Sequence, residues 1–128
     1  MEIIANELQT VLENQNVLFT DTVVPGKACT MHRAGSGLVS LKGLTNQCRA
    51  RFKVSFGANI AIPTAGTVEA ISLGLAIDGE PVATTTMIVT PAAVEEFFNV
   101  YSSVYLDIPR GCCSQISVRN ISSQPVDV

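Results

Sequence analysis

Five residues of the chain have side chains that could bind a soft metal ion such as zinc. Cys29 and His32 are separated by two residues, and Cys48, Cys112 and Cys113 could supply further thiolate ligands. Structural zinc sites, however, usually combine two compact ligand pairs, and free cysteine is among the most buried residue types. We therefore predict no metal site and interpret the cysteines as mostly free thiols in a reducing compartment.

The other residues with catalytic potential lack the partners that catalysis requires. His32 is the one histidine of the chain, and no serine lies in a G-x-S-x-G sequence. Glu95 and Glu96 are adjacent, whereas a glycosidase needs two carboxyl groups that face each other across a cleft. The turn at residues 35–37 is not followed by the helical pattern that phosphate binding requires. We predict that the protein is not an enzyme and has no cofactor.

Length and composition indicate one domain with an apolar contact surface. The 128 residues suit a single domain, 1–128, in which residues 1–20 could form an N-terminal extension. Hydrophobic residues make up 47% of the chain and charged residues only 15%, so we expect part of the surface to contact another subunit.

Charge and hydropathy exclude two classes of partner. A net charge of −3 is unfavourable for a protein that binds the phosphates of nucleic acid. No apolar run approaches the roughly 20 residues that cross a bilayer, and the acidic N-terminus does not resemble a signal peptide. We expect neither a nucleic-acid nor a membrane partner.

Alternation of apolar and polar residues, which is typical of strands, is clearest from Cys48 to Phe56. The positions expected to face inward are Cys48, Ala50, Phe52, Val54 and Phe56. The basic residues between them, Arg49, Arg51 and Lys53, are then the solvent-exposed side of a strand and not a binding patch.

Turn signals separate further strands along the chain. The segment Thr67–Ile77 leads into Asp78-Gly79, which suits a type I′ turn, and Pro81–Val89 is predicted to be the returning strand. A strand with large side chains on both faces follows at 97–108, and another at Cys112–Asn120. The first 20 residues fit either a helical stripe or strands, and we favour extended structure. About eight short strands predict an all-β antiparallel sandwich with jelly-roll topology.

The segment from Arg51 to Val126 resembles the tumour-necrosis-factor/C1q-like jelly roll. The resemblance is carried by Ile60–Pro63 before a glycine turn, by Leu73-x-Leu75-x-Ile77 before Asp-Gly, by Leu106-x-Ile108-Pro-x-Gly111, and by Val118-x-Asn120. The most similar versions occur at the tips of bacterial collagen-like surface glycoproteins and in small proteins of phages and prophages of gut Firmicutes.

This resemblance implies a homotrimer around a three-fold axis, with Phe97, Tyr101 and Tyr105 as the expected interface residues. The chain departs from the family pattern at its end, where Pro125-Val126-Asp127-Val128 replaces a longer closing strand. We therefore expect the final strand to be short or missing, with the sheet edge completed by a neighbouring subunit or a capsid protein.

These observations predict a non-enzymatic structural protein, a trimeric component of a phage virion of the capsid-associated, decoration or fibre type. Such a protein is assembled in the bacterial cytoplasm; the alternative location is the bacterial cell surface. One alternative function is an oligomeric module that recognises a host glycan or protein through loops at Gly57–Asn59 and Pro91–Glu96. Another is a nucleotide sponge with Arg33, Arg49 and Arg51 facing phosphates between subunits.

Overall fold

The computed structural model describes residues 1–26, 30–42, 49–109 and 113–128, and the regular structure in them is almost entirely antiparallel strands. The strands are β1 (Glu2–Ile4), β2 (Thr10–Val11), β3 (Asp21–Val24), β4 (Thr30–His32), β5 (Val39–Lys42), β6 (Arg49–Ile60), β7 (Ile71–Ile77), β8 (Glu80–Pro81), β9 (Met87–Val89), β10 (Phe98–Pro109), β11 (Cys113–Asn120) and β12 (Val126–Asp127). One 3-10 turn covers Ala83–Thr85. The prediction of an all-β fold, with extended structure near the N-terminus, is confirmed. No helix in these described ranges has the length and apolar character needed to cross a membrane.

The larger layer is a six-stranded sheet in the order β4-β5-β11-β7, with β8 and β9 both paired to β7. Ile71, Leu73 and Leu75 of β7 are at most 2% exposed because they face the interior of the protein. Their branched side chains fit the pleated surface of a buried strand, which explains why this segment forms the middle of the sheet. The strand begins at Ile71, four residues later than predicted, because the preceding residues 67–70 are exposed and irregular.

The hairpin at Asp78-Gly79 is confirmed, but its returning strand is interrupted. Both turn residues have positive φ angles, 51° and 87°, as a type I′ turn requires. The predicted strand Pro81–Val89 is instead split into β8, the 3-10 turn and β9. The hydroxyl of Thr85 accepts a hydrogen bond from the Leu75 amide at 3.0 Å and donates to the Val82 carbonyl at 2.7 Å. The Thr85 side chain takes the place of a backbone hydrogen-bond partner of Leu75, and the chain can therefore leave the sheet at this point.

The second layer is the β6–β10 ribbon, two strands of twelve residues each. They pair without a register shift from Phe98 opposite Ile60 to Pro109 opposite Arg49. Side chains alternate across the ribbon, so that Phe56, Val100 and Leu106 are buried while their neighbours are exposed. The predicted inward face of β6 is confirmed for Phe52, Val54 and Phe56; the side chain of Ala50 and the whole of Cys48 lie outside the described part of the chain.

The main core lies between the six-stranded sheet and the β6–β10 ribbon. Leu73 and Val118 from the sheet belong to the same buried cluster as Phe56 and Ile60 from the ribbon. Val17, from the N-terminal part of the chain, is 1% exposed in this cluster. The two layers therefore face each other in a sandwich-like arrangement.

The strands near the two ends of the chain form two separate short pairs. β1 pairs with β3, and β2 pairs with β12. Ala61, which directly follows β6, exchanges two backbone hydrogen bonds of 3.0 Å with Asp127. The last strand therefore meets the ribbon through one isolated bridge, at the residue that follows β6.

Candidate functional site

The outward side of the β6–β10 ribbon carries two neighbouring tyrosines, and we call this surface the tyrosine face. Tyr101 and Tyr105 are 62% and 66% exposed, among the most exposed large apolar side chains in the described part of the chain. They share a face because they are four residues apart on one strand. Tyr101 lies opposite Gly57 and Tyr105 opposite Lys53. The face is therefore aromatic at its centre.

Small residues surround the ring of Tyr101. A Cβ atom on Gly57 would lie 3.5 Å from the ring, so the ring covers the glycine backbone. Hydrogen bonds with Ser55 and Ser103 lower the pKa of Tyr101 below its ordinary value. Covering glycine and contacting two serines restrains the ring before any partner binds, which reduces the entropy that binding would cost.

Charged side chains border the tyrosine face. Arg51 donates to Asp107 through Nε at 2.9 Å and through an Nη atom at 3.3 Å, and this pairing raises the pKa of Arg51. The ammonium group of Lys53 lies 5.9 Å from the ring centre of Tyr105, a cation–π distance. The prediction that Arg51 and Lys53 lie on the solvent-exposed side of a strand is confirmed. An aromatic centre with a polar border is the usual anatomy of a protein–protein interface.

The third predicted interface residue, Phe97, has a different setting. It precedes β10, which begins at Phe98, and it is 46% exposed. It contributes to the wall of the groove described below. The ribbon thus brings Tyr101 and Tyr105 together on one strand face, while Phe97 lies at the end of that strand.

Of the five candidate metal ligands, only His32 has a side chain in the described part of the chain. The His32 ring nitrogens both have partners, Nδ1 at 2.8 Å from the Thr22 hydroxyl and Nε2 at 3.0 Å from the Ser36 carbonyl oxygen. No group of three or more potential ligands occurs within the described ranges. Cys29, Cys48 and Cys112 lie outside these ranges, and Cys113 begins β11.

The residues considered for the two alternative functions lie on β6, in the turn after β4 and in the loop before β10. Gly57–Asn59 was expected to be a loop but is part of β6, because its alternation continues the strand. Pro91–Glu96 is a loop in which the Thr64 hydroxyl donates to Glu95. Arg33 is exposed in the turn after β4, whereas Arg51 is paired with Asp107; the side chain of Arg49 lies outside the described part of the chain.

A groove opens between residues 1–8 and the edge of β6, and we call it the N-terminal groove. Its volume is about 830 Å³. One wall is the N-terminal segment, the other is residues 52–59 of β6, and the floor includes Leu75 and Val118 of the large sheet. Val128 also lines it. The sequence did not predict this groove, although the short closing strand was a signal that part of the sheet edge would be open.

Comparison with known proteins identifies no family. No protein-family model matches the chain, and no curated protein matches it.

Proposed function

We propose that this chain is a non-enzymatic structural subunit, a jelly roll that assembles as a homotrimer through its tyrosine face. The observation that carries the proposal is the exposure of Tyr101 and Tyr105, at 62% and 66%, on one side of a long regular ribbon. Tyrosine is enriched at the centres of interfaces because it buries a large area at a small cost in side-chain entropy.

Strand order supports the jelly-roll part of the proposal. From β5 to β11, apart from the short β8 and β9 that pair with β7, the strands alternate between the two layers: β5 lies in the large sheet, β6 in the ribbon, β7 in the sheet, β10 in the ribbon and β11 in the sheet. Jelly rolls are two-sheet structures of Greek-key connections, in which the chain crosses repeatedly from one sheet to the other. The short β12 bonds to the end of the ribbon, where a closing strand would be needed.

Two further features support assembly through the ribbon. The strands β6 and β10 form a two-stranded sheet, and an isolated ribbon of this length needs neighbours to be stable in water. The large sheet covers the inward side of the ribbon, so a second subunit would cover the outward side. A homotrimer is the assembly that the resemblance of residues 51–126 implies.

The same resemblance is the basis for the biological setting. We place the protein in a phage virion, as a capsid-associated, decoration or fibre component that contacts itself and a capsid protein; the bacterial cell surface is the alternative. The nucleotide-sponge alternative has weaker support because the guanidinium of Arg51 already pairs with Asp107.

Replacing both tyrosines by serine, Tyr101→Ser with Tyr105→Ser, should convert the oligomer to monomers. Each lost tyrosine removes a central interface side chain, a truncation that typically costs about 2 kcal/mol or more of binding free energy at a hot spot. Light scattering after size-exclusion chromatography measures the mass, and far-ultraviolet circular dichroism checks that the variant is folded.

The matched control replaces two apolar residues of similar exposure outside the tyrosine face. Met31→Ser with Ile88→Ser is suitable because these side chains are 61% and 65% exposed. They belong to β4 and β9 of the large sheet. The control should keep the mass of the unmodified protein. A folded tyrosine variant with an unchanged oligomeric mass would rule out this interface.

A further inference from the structure

The edge of β6 that faces the N-terminal groove carries backbone groups without partners in the described ranges. Ala61 directs both its amide and its carbonyl to Asp127. Backbone groups of alternate residues in a strand point to the same edge, so Asn59, Gly57 and Ser55 point in the same direction as Ala61. No hydrogen bond joins these groups to another described residue, because β10 occupies the opposite edge of β6.

The strand β12 ends at the entrance of this gap. Asp127 is bonded to Ala61 on one side, and Val128 exchanges hydrogen bonds of 2.9 and 3.2 Å with Gln9 on the other. A strand that continued the line of β12 would therefore run antiparallel to β6, between residues 1–8 and residues 53–59. Seven positions lie opposite Lys53–Asn59, a length of about 23 Å at the usual rise per residue.

The interior of the groove is suited to apolar side chains on every second residue. Val54 and Ala58 point inward from β6 but are only partly buried, whereas Leu73 on the facing sheet is fully buried. The floor at Leu75 and Val118 is apolar. A strand in the groove would place three side chains inward, beside Val54, Phe56 and Ala58, and would complete the packing of this part of the core.

The unpaired backbone groups decide between two kinds of occupant. An alkyl chain or another purely apolar ligand would fill the groove but leave the amides and carbonyls of β6 without hydrogen bonds in a dry environment, which costs free energy. An extended polypeptide satisfies both requirements, because its backbone pairs with the edge and its alternate side chains fill the interior. The side chain opposite Lys53 would point outward, where a carboxylate would be favourable.

We propose that the N-terminal groove binds an extended strand of a partner polypeptide, about seven residues long, which adds to β6 in the antiparallel direction. The strand has apolar residues at its second, fourth and sixth positions and an acidic residue at its seventh. This inference does not depend on the tyrosine face, since it rests on the opposite edge and the inward side of β6.

The test uses the full chain and the capped peptide Thr-Val-Thr-Val-Ser-Ile-Asp. Residue-resolved amide hydrogen exchange, followed by nuclear magnetic resonance, should slow at Lys53, Ser55, Gly57 and Asn59 when the peptide is present. Slowing at these alternate amides is a signature of backbone pairing that non-specific hydrophobic binding would not produce. No slowing at saturating peptide would overturn the proposal.

The matched control is the same peptide with N-methyl groups on its third and fifth residues, which pair with Gly57 and Ser55. Its side chains are unchanged, but two amide donors are lost, so its affinity should be at least about tenfold weaker. Equal affinity of the two peptides would contradict strand addition.

A protein variant and a competing ligand complete the design. Ala58→Leu places a larger side chain in the groove. The affinity of the unmodified peptide for this variant should be at least about tenfold lower, while the fold is retained. Dodecanoate should not displace the peptide. Displacement by dodecanoate, with no change in the exchange of the β6 amides, would identify the groove as a site for an apolar small molecule and overturn the proposal.

Discussion

Replacing Asn120 by alanine is expected to lower the free energy of unfolding by about 3 kcal/mol, because the Asn120 side chain makes four hydrogen bonds to buried groups and alanine makes none of them. The side-chain amide of Asn120 donates to the carbonyls of Val11 and Gln124, both at 2.9 Å. Its carbonyl oxygen accepts from the Ser122 amide at 3.0 Å and from the Ser122 hydroxyl. Asn120 is fully buried, so water cannot replace these bonds. Urea denaturation at one fixed protein concentration measures the effect.

The matched control for this change is Asn99→Ala. Asn99 is exposed, and its side chain donates at 3.3 Å to Asn59 on the neighbouring strand. Because water replaces that bond, the control should change the free energy of unfolding by less than about 0.5 kcal/mol. If both alanine variants were equally stable, the hydrogen bonds of the Asn120 side chain would not stabilise the contact between β11 and the N-terminal segment.

The second large effect is expected at Leu73, whose replacement by alanine should cost about 3 kcal/mol. Leu73 is fully buried in the main cluster, between β7 and the ribbon. Its truncation loses the transfer free energy of the side chain and leaves a cavity that the strands on both sides cannot close. Urea denaturation at the same fixed protein concentration measures this change in the free energy of unfolding.

Leu12→Ala is the matched control for Leu73→Ala. Leu12 is 59% exposed, so the same truncation should change the free energy of unfolding by less than about 0.5 kcal/mol. A cost below about 1 kcal/mol at Leu73 would mean that the two layers are not packed against each other at this position. Leu73 lies opposite Asn120, so the two large effects should not add in a double variant.

The sequence predicted the strands whose alternation is strict. In β6, Phe52, Val54 and Phe56 alternate with charged or small polar residues, and the polar side of the strand is exposed to solvent. In β10 both sides carry large side chains, so alternation alone could not decide which side is buried. The structure shows which side is buried: Val100 and Leu106 face the large sheet, and Tyr101 and Tyr105 therefore face outward.

The features that the sequence did not predict depend on contacts between distant residues. The 3-10 turn in the returning strand forms because the Thr85 hydroxyl bonds to Leu75, and a threonine in a segment rich in threonine and valine is equally typical of a strand. A short final strand was expected, but the partners of β12, which are Ala61 and β2, could not be predicted from its own composition. The N-terminal groove likewise requires the positions of both chain ends relative to β6.

Assembly through the tyrosine face is tested by the mass of the unmodified protein in solution, measured by light scattering after size-exclusion chromatography. The measurement is repeated with a reducing agent and with a chelator, since neither a disulfide nor a metal ion is part of the proposed interface. The proposal predicts about 41 kDa, three times the 13.6 kDa of one chain, in all three conditions. A monomer at micromolar concentration would contradict assembly through the tyrosine face.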